Sequence, residues 1–380
     1  MKKSNVTFIA AGILVLHVII FIVLIGTKEA LKASKKNAPV PAQQLSQTTD
    51  SASLPEFNVP EIQIMEAPAI APMPEPLVMP VEMAEIQPAD TQETIASTRN
   101  QTGYLRGDRP NNRTRQVFAE LKRDPYQSAI VVDARTGKIL YENRASVYSY
   151  PASITKLMTM LIVFEQINAG VISLNDRVKI TQDVAGIGGS GIYLDVRESG
   201  NYTVDNMLEA LMIHSANDAA AALAIHVAGN MDSFVDMMNQ KARELGMNST
   251  HYQSPHGLPP GGGKQPDIST AYDVAILSLA ALRHPETLKY TSIKLTYLPL
   301  SPIRKEHFML ANRNALVGKK PYPGCDGLKT GYHFAGGSSL TATAKQGNHR
   351  IIAVALGCPN KNVRDVAIRE LLDKGFAILK

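Results

Sequence analysis

Apolar and polar positions fall into three regimes along the chain. Val6 to Gly26 is 21 residues without a charged side chain, long enough to cross a bilayer as a helix. Residues 37 to about 112 scatter apolar residues among ten prolines between Pro39 and Pro88, a texture that predicts an extended, semi-rigid segment. From Tyr126 the pattern becomes that of a folded domain. Ser128–Asp133 reads as a strand, Ala134-Arg135-Thr136-Gly137 as a turn, and Lys138–Tyr141 as the return strand of a hairpin. A largely helical stretch follows, roughly 153 to 283, including Met207–Ile213, Asp218–Val227, Ser233–Leu245 and Thr270–Leu282. Strands return at Asp326–Tyr332, Ser338–Ala344 and Arg350–Gly357, and a last helix is expected over about 362–373. Strands at both ends with helices between predict an α+β fold. One antiparallel sheet is built from both chain ends and flanked by helices, with an inserted all-helical lobe.

Charge sharpens this division. The net +5 hides +5 in residues 1–36, −8 in residues 37–100 and +8 in the remaining 280. A mildly basic folded part suits an anionic substrate or surface. No Lys/Arg run or aromatic stacking motif argues for nucleic acid. Cys325 and Cys358 set no disulfide framework and are expected to be unpaired and packed. His251 and His256 have a metal-like spacing without a third ligand, so no metal or other cofactor is expected. The first 26 residues read as an uncleaved anchor rather than a signal peptide. The apolar run is long, and Lys28, Glu29, Lys32, Lys35 and Lys36 follow it instead of a small-x-small site. Lysines on both sides leave its orientation undecided. The Pro-rich stretch reads as a spacer, or, given Ile62, Ile64, Met65, Leu77, Val78 and Val81, as a docking segment.

The chemistry concentrates in three short motifs. Ser153-Ile154-Thr155-Lys156 opens a helix that continues Leu157, Met158, Met160, Leu161, Ile162, Val163, Phe164. Residues three apart share a helix face, so an amine lies beside a hydroxyl where water is scarce. A lysine whose ammonium is disfavoured by burial or by nearby positive charge is able to deprotonate a serine. Ser215-Ala216-Asn217 lies between two helical patterns, and Lys329-Thr330-Gly331 on a predicted strand. Ser-x-x-Lys and Lys-Thr-Gly each occur once. Ser-x-Asn occurs three times, the other copies being Ser173-Leu174-Asn175 and Ser199-Gly200-Asn201. Any one motif alone is ordinary cap or turn chemistry; their order and the elements beneath them carry the signal.

At these residues the chain resembles the D-alanyl-D-alanine carboxypeptidases, the low-molecular-weight penicillin-binding proteins. The similarity runs from about Tyr126 to Lys380. It includes Tyr150-Pro151-Ala152, Ala219-Ala220, Pro255-His256-Gly257-Leu258, Thr270-Ala271-Tyr272-Asp273, Asn312-Arg313-Asn314 and Asp326-Gly327-Leu328. The resemblance implies a β-lactamase/transpeptidase-like fold and selects Ser215 and Asn217 among the Ser-x-Asn copies. It implies that Ser153 attacks the carbonyl between two D-alanines of a peptidoglycan stem peptide and that Lys156 takes its proton. Ser215, bridging Lys156 and Lys329, would relay that proton to the departing D-alanine, and Asn217 would bind the substrate amide. Lys329 and nearby Arg charge would keep Lys156 neutral. The backbone N–H groups of Ser153 and Tyr332 would form the oxyanion hole, and Gly331 would let the strand approach substrate. Thr330 and Arg364 would hold the terminal carboxylate. β-Lactams would acylate the same serine.

This reading gives an extracytoplasmic catalytic side in a bacterial inner membrane. The divisions are a cytoplasmic tail (1–5), a transmembrane anchor (6–26), a tether (27–112) and a peptidase domain (113–380). Many relatives continue into a C-terminal β-rich domain and an amphipathic anchoring helix, whereas this sequence stops at Lys380 and carries its anchor at the N-terminus. A D,D-endopeptidase would use the same groups. A class A β-lactamase needs a deacylating Glu, and Glu286-Thr287-Leu288-Lys289-Tyr290 does not fit the expected Glu-x-x-Leu-Asn loop. A non-catalytic wall-binding protein would not need an intact Ser153, Lys156 and Lys329. The sequence carries no signal of oligomeric state.

Overall fold

The computed structural model describes residues 125–260 and 265–380. The expected tail, anchor and tether, and the first residues of the expected peptidase domain, lie outside the described residues. Among the described residues no helix is long and apolar enough to cross a membrane.

The central sheet contains β1 (Ser128–Asp133), β2 (Ile139–Asn143), β5 (Cys325–His333), β6 (Gly337–Gln346) and β7 (His349–Cys358), in the order β2-β1-β7-β6-β5, all antiparallel. Both chain ends therefore build one sheet, as expected. Its strands are largely buried; β1 and β7 read as apolar runs, whereas β5 and β6 bury Lys329, Thr330, Ser338, Ser339, Thr341 and Thr343 as well. The two faces still separate with period two. Along β7, Ile351, Ala353 and Ala355 belong to one apolar cluster and Ile352, Val354 and Leu356 to the other. The first cluster is closed by the last helix, α8 (Lys361–Leu379), through Ala367, Ile368, Leu371, Leu372 and Phe376. That helix runs past the expected stop at 373 because Gly375 continues it: a Cβ there would meet Ile351 and Val131. The missing side chain lets the helix lie close on the sheet.

The second face is covered by the inserted lobe. Its helices are α1 (Lys156–Asn168), α2 (Gln182–Ala185), α3 (Val204–Glu209), α4 (Asn217–Ala228), α5 (Met231–Glu244), α6 (Ala271–Leu282) and α7 (Glu286–Thr291). Helix α1 is buried from Lys156 through Phe164, which fits a helix apolar on every side, and it packs against α4, α5 and α6. Helix α5 has the opposite texture, a single stripe of Phe234, Met238 and Ala242 facing inward. Thr203, Asn230 and Thr270 cap α3, α5 and α6 by accepting an N–H in the first turn. Beyond the expected elements, a two-stranded ribbon joins β3 (Leu295–Leu298) to β4 (Phe308–Ala311). Cys325 and Cys358 are both free thiols.

Replacing Leu372, fully buried between α8 and the sheet, by Ala is expected to lower the unfolding free energy by about 2–5 kcal/mol. Urea unfolding followed by circular dichroism checks this; a loss below about 1 kcal/mol would mean that α8 is not part of the core.

Candidate active site

The nucleophile candidate sits in a single 3-10 turn, Ala152–Thr155, that runs straight into α1. Ala152 adopts a left-handed φ of 49°, uncommon for a residue with a side chain and frequent where function over-determines the backbone. Side chains three apart eclipse in a 3-10 turn, and Ser153 Oγ lies 3.0 Å from Lys156 Nζ.

Lys156 is completely buried. Its amine donates to Asn217 Oδ1 at 2.6 Å and to the His256 carbonyl at 2.6 Å. Both of these are acceptors only, and Asn217 is oriented by its own Nδ2 donating to Gly188 O at 2.9 Å. With its third hydrogen the amine donates to Ser153 Oγ; once neutral it keeps two N–H donors for the two carbonyl-type acceptors and turns its lone pair to the Ser153 hydroxyl. The electrostatics agree. Burial, then the charge of Lys329, hold the Lys156 amine well below its ordinary range, against the opposing pull of Asp267 and Asp218. Lys329, 1% exposed, is itself lowered to about 7 by burial, then by Arg313 and Arg364.

The second motif arrives on a wide turn. Ala210–His214 is π-helical, and Ser215 follows in the left-handed region at φ 65°. Helix α4 then starts at Asn217, whose N–H donates to Ser190 O at 2.7 Å. Ser215 Oγ accepts from Lys329 Nζ at 2.9 Å. The expected bridge from Ser215 to both lysines is therefore half present: all three contacts of the Lys156 amine are made by Ser153, Asn217 and His256. Asn217 orients Lys156 through its Oδ1 and gives one Nδ2 hydrogen to Gly188 O, which leaves its second Nδ2 hydrogen at the cleft that the residue lines.

The third motif lies on β5, the free edge of the sheet. Gly331 has a different reason from the expected one. A Cβ at Gly331 would collide with the Pro151 carbonyl and crowd Ile154, so the glycine admits the turn that carries Ser153, not the substrate. Gly257, at φ 82°, does the same from the other side, since a Cβ there would strike the Ala152 carbonyl. The edge strand, the nucleophile turn and the 255–257 loop thus converge without side chains between them.

An open cleft of about 740 Å³ lies over this convergence. Ser153, Ser215, Asn217, Thr330, Gly331, Tyr332 and Arg364 all line it, while Lys156 and Lys329 lie buried beneath. Tyr332 is 67% exposed at the rim. Arg364 is directed by Asp365, which accepts from its Nε at 2.9 Å and Nη2 at 2.6 Å. Sequence reasoning missed three contributors. Arg313 lines the cleft and has no carboxylate partner among the described residues. Asp267, raised to about 6 by burial, accepts from Thr155 Oγ1 at 2.6 Å and the Gln253 N–H at 2.7 Å. Asp218 accepts the N–H groups of Ile192, Leu194 and Ala219 and so pins the loop that Asn217 touches. Arg313 sits inside the Asn312-Arg313-Asn314 match noted above, which was its one sequence signal. No cluster of three metal-binding side chains occurs among the described residues.

A model of the D-alanyl-D-alanine carboxypeptidase family matches residues 119–360, more than half of the chain. The chain belongs to the D-alanyl-D-alanine carboxypeptidase family. It is 38% identical over 265 residues to D-alanyl-D-alanine carboxypeptidase DacF of Bacillus subtilis, covering 70% of this chain and 64% of that one. It is 34% identical over 252 residues to DacC of Escherichia coli, covering 65% and 60%. This chain thus spans less than two-thirds of the length of either relative. Among solved structures it is similar to penicillin-binding protein D2 of Listeria monocytogenes in an ampicillin-bound form. That match has a TM-score of 0.58 and 28% identity over 66% of this chain and 97% of that one. The family match confirms the α+β, transpeptidase-like fold expected from the motifs.

The buried lysines make a pH-dependent contribution to stability. Lys329 titrates at about 7 in the fold against 10.5 for the free side chain, so between those values the unfolded chain binds more protons. Stability must rise with pH across that window, by up to about 1.4 kcal/mol per pH unit for this group. Lys329→Met removes that slope. Urea unfolding of both proteins at several pH values from 7 to 10 checks it; a wild-type-minus-variant difference that stays constant with pH would refute the depressed amine.

Proposed function

We propose that this protein is a serine-type D-alanyl-D-alanine carboxypeptidase that trims the terminal D-alanine from peptidoglycan stem pentapeptides. The observation that carries this reading is the Lys156 amine. It is fully buried, and both its N–H donors face acceptors, 3.0 Å from a hydroxyl at the floor of a cleft.

The chemistry follows from the atoms. Ser153 Oγ attacks the penultimate D-alanine carbonyl while its proton moves to Lys156 Nζ. The tetrahedral oxyanion is held by the backbone N–H groups of Ser153 and Tyr332; one such donor is worth roughly 10²–10³ in rate. Collapse breaks the C–N bond, and the proton held by Lys156 passes to the departing D-alanine amine by way of Ser215, which Lys329 holds at 2.9 Å and which has to come within reach of Lys156 for this step. The acyl ester on Ser153 is then hydrolysed by water, with Lys156 again taking the proton. Thr330, Arg364 and Arg313 present hydroxyl and guanidinium groups to the terminal carboxylate, for which the planar fork of Arg is suited. Lys156 has to be neutral to begin and Lys329 adds positive charge to the cleft. Burial, then the charge of Lys329, lower the Lys156 amine well below its ordinary range, which supports this division of labour.

A β-lactam presents the same carbonyl and carboxylate, and would acylate Ser153 while retaining its leaving group. The proposed setting is the extracytoplasmic face of a bacterial inner membrane, with residues 6–26 as a single-pass anchor and 27–112 as a tether. The support is the apolar run itself and the location of a peptidoglycan substrate.

Fluorescent penicillin is expected to label the protein covalently and Ser153→Ala to abolish labelling. Lys156→Ala should slow acylation by about 10²–10⁴. Labelling that survives in Ser153→Ala refutes the nucleophile. Release of D-alanine from a muramyl pentapeptide tests the substrate, and cleavage of cross-linked dimers alone would replace this reading by an endopeptidase. Deleting residues 1–36 should move the protein from the membrane to the soluble fraction of cells; retention at the membrane would refute the anchor.

A further inference from the structure

His214 closes the π-helical turn that delivers Ser215, yet no step above uses its side chain. Its ring Nε2 lies 3.0 Å from Arg313 Nη2, and its backbone carbonyl accepts from Arg313 Nε at 3.3 Å. The Arg313 N–H donates to Ile213 O at 3.2 Å. Two consecutive residues thus grip one arginine at three points, just before the second motif. A guanidinium has donors only, so the ring nitrogen facing it must be a lone pair, and the proton of a neutral imidazole must sit on Nδ1. That Nδ1 is buried and has no hydrogen-bond partner, a destabilising arrangement that packing alone does not require. Burial, then Arg313 and Lys329, lower His214 to about 4, so the accepting lone pair persists at neutral pH. Phe308 braces the ring edge-on at a centroid distance of 5.4 Å. The two arginines of the cleft also differ. Arg364 is paired with Asp365, whereas Arg313 keeps its full charge for whatever enters.

We propose that His214 is a positioning residue that aims the Arg313 guanidinium into the cleft, making Arg313 the selector for a substrate ending in a free carboxylate. This rests on the carboxypeptidase reading and adds to it the group that fixes the selecting charge.

The test compares an acyl-D-Ala-D-Ala peptide with its C-terminal amide. His214→Phe keeps a ring beside Phe308 and removes the acceptor. It should lower the acid-over-amide preference in kcat/KM about tenfold, with the loss in KM. His214→Gln, whose Oε1 accepts from the same nitrogen, should hold that preference within about threefold. In an Arg313→Ala background His214→Phe should change nothing further. Equal losses on acid and amide, a loss in kcat, or a Gln variant as impaired as Phe would overturn the proposal. The acid-over-amide ratio and KM do not depend on the fraction of protein folded, and kcat is taken per active site titrated with fluorescent penicillin. Should the Phe variant not fold, ¹⁵N NMR of the wild-type imidazole decides: an Nδ1–H tautomer supports the proposal and an Nε2–H tautomer overturns it. A wild type that releases D-alanine from neither peptide overturns the carboxypeptidase reading and this proposal with it. An active wild type whose preference survives in His214→Phe overturns this proposal alone.

Discussion

A primary amine that water does not reach governs this molecule. Lys156 is wholly buried, and its three neighbours come from three separate parts of the chain: the nucleophile turn, the start of α4 and the 255–257 loop. Solvating an ammonium there with two carbonyl-type acceptors and one hydroxyl is poor compensation for lost water. The neutral form is favoured, and a neutral amine is a base. Much else in the fold keeps that amine dry and those acceptors in place. Helix α1 is apolar all round because it must seal the site, and glycines stand at 257 and 331 because the converging backbones leave no room for a Cβ.

Charge is graded from floor to rim of the cleft. At the bottom Lys156 is held neutral, first by burial and then by Lys329. Lys329 titrates near 7. Arg313 and Arg364 line the opening. The same burial that lowers the amines raises the carboxyls of Asp267 and Asp218, so the acids compensate weakly and the basicity of the site survives. The aspartates serve geometry instead. Asp267 ties Thr155, in the nucleophile turn, to the Gln253 backbone, and Asp218 gathers the 192–194 loop. A sheet packed on both faces supplies the rigid support on which such distances can be kept.

Much of this was legible in one dimension. Strands β1 and β7 could be read because each is a short apolar run bounded by turn residues, and Ser153, Lys156, Ser215, Asn217 and Lys329 because their motifs occur in a fixed order. The β3–β4 ribbon could not. Its exposed connection carries Pro299, Pro302, Arg304, Lys305, Glu306 and His307, a polar run that hides two short strands. The extent of α8 was missed because Gly375 resembles a stop signal when its close approach to the sheet is invisible. Arg313, Asp267 and the His256 carbonyl belong to no local pattern. Each matters only through a neighbour 14 to 112 residues away, as with Asp267 and Gln253, or Thr155.

Local order of residue types therefore determined the layered α+β architecture, the placing of Ser153 beside Lys156, and the family. Periodicity and three-residue spacing act through neighbours in the chain, and these survive in any reading of it. Tertiary structure alone decided that Asn217 serves Lys156, that Ser215 is held by Lys329 only, that Gly331 makes way for the nucleophile turn and that His214 grips Arg313. Those outcomes depend on desolvation and on distances of about 3 Å between distant segments, which come into being only when the chain has closed around them.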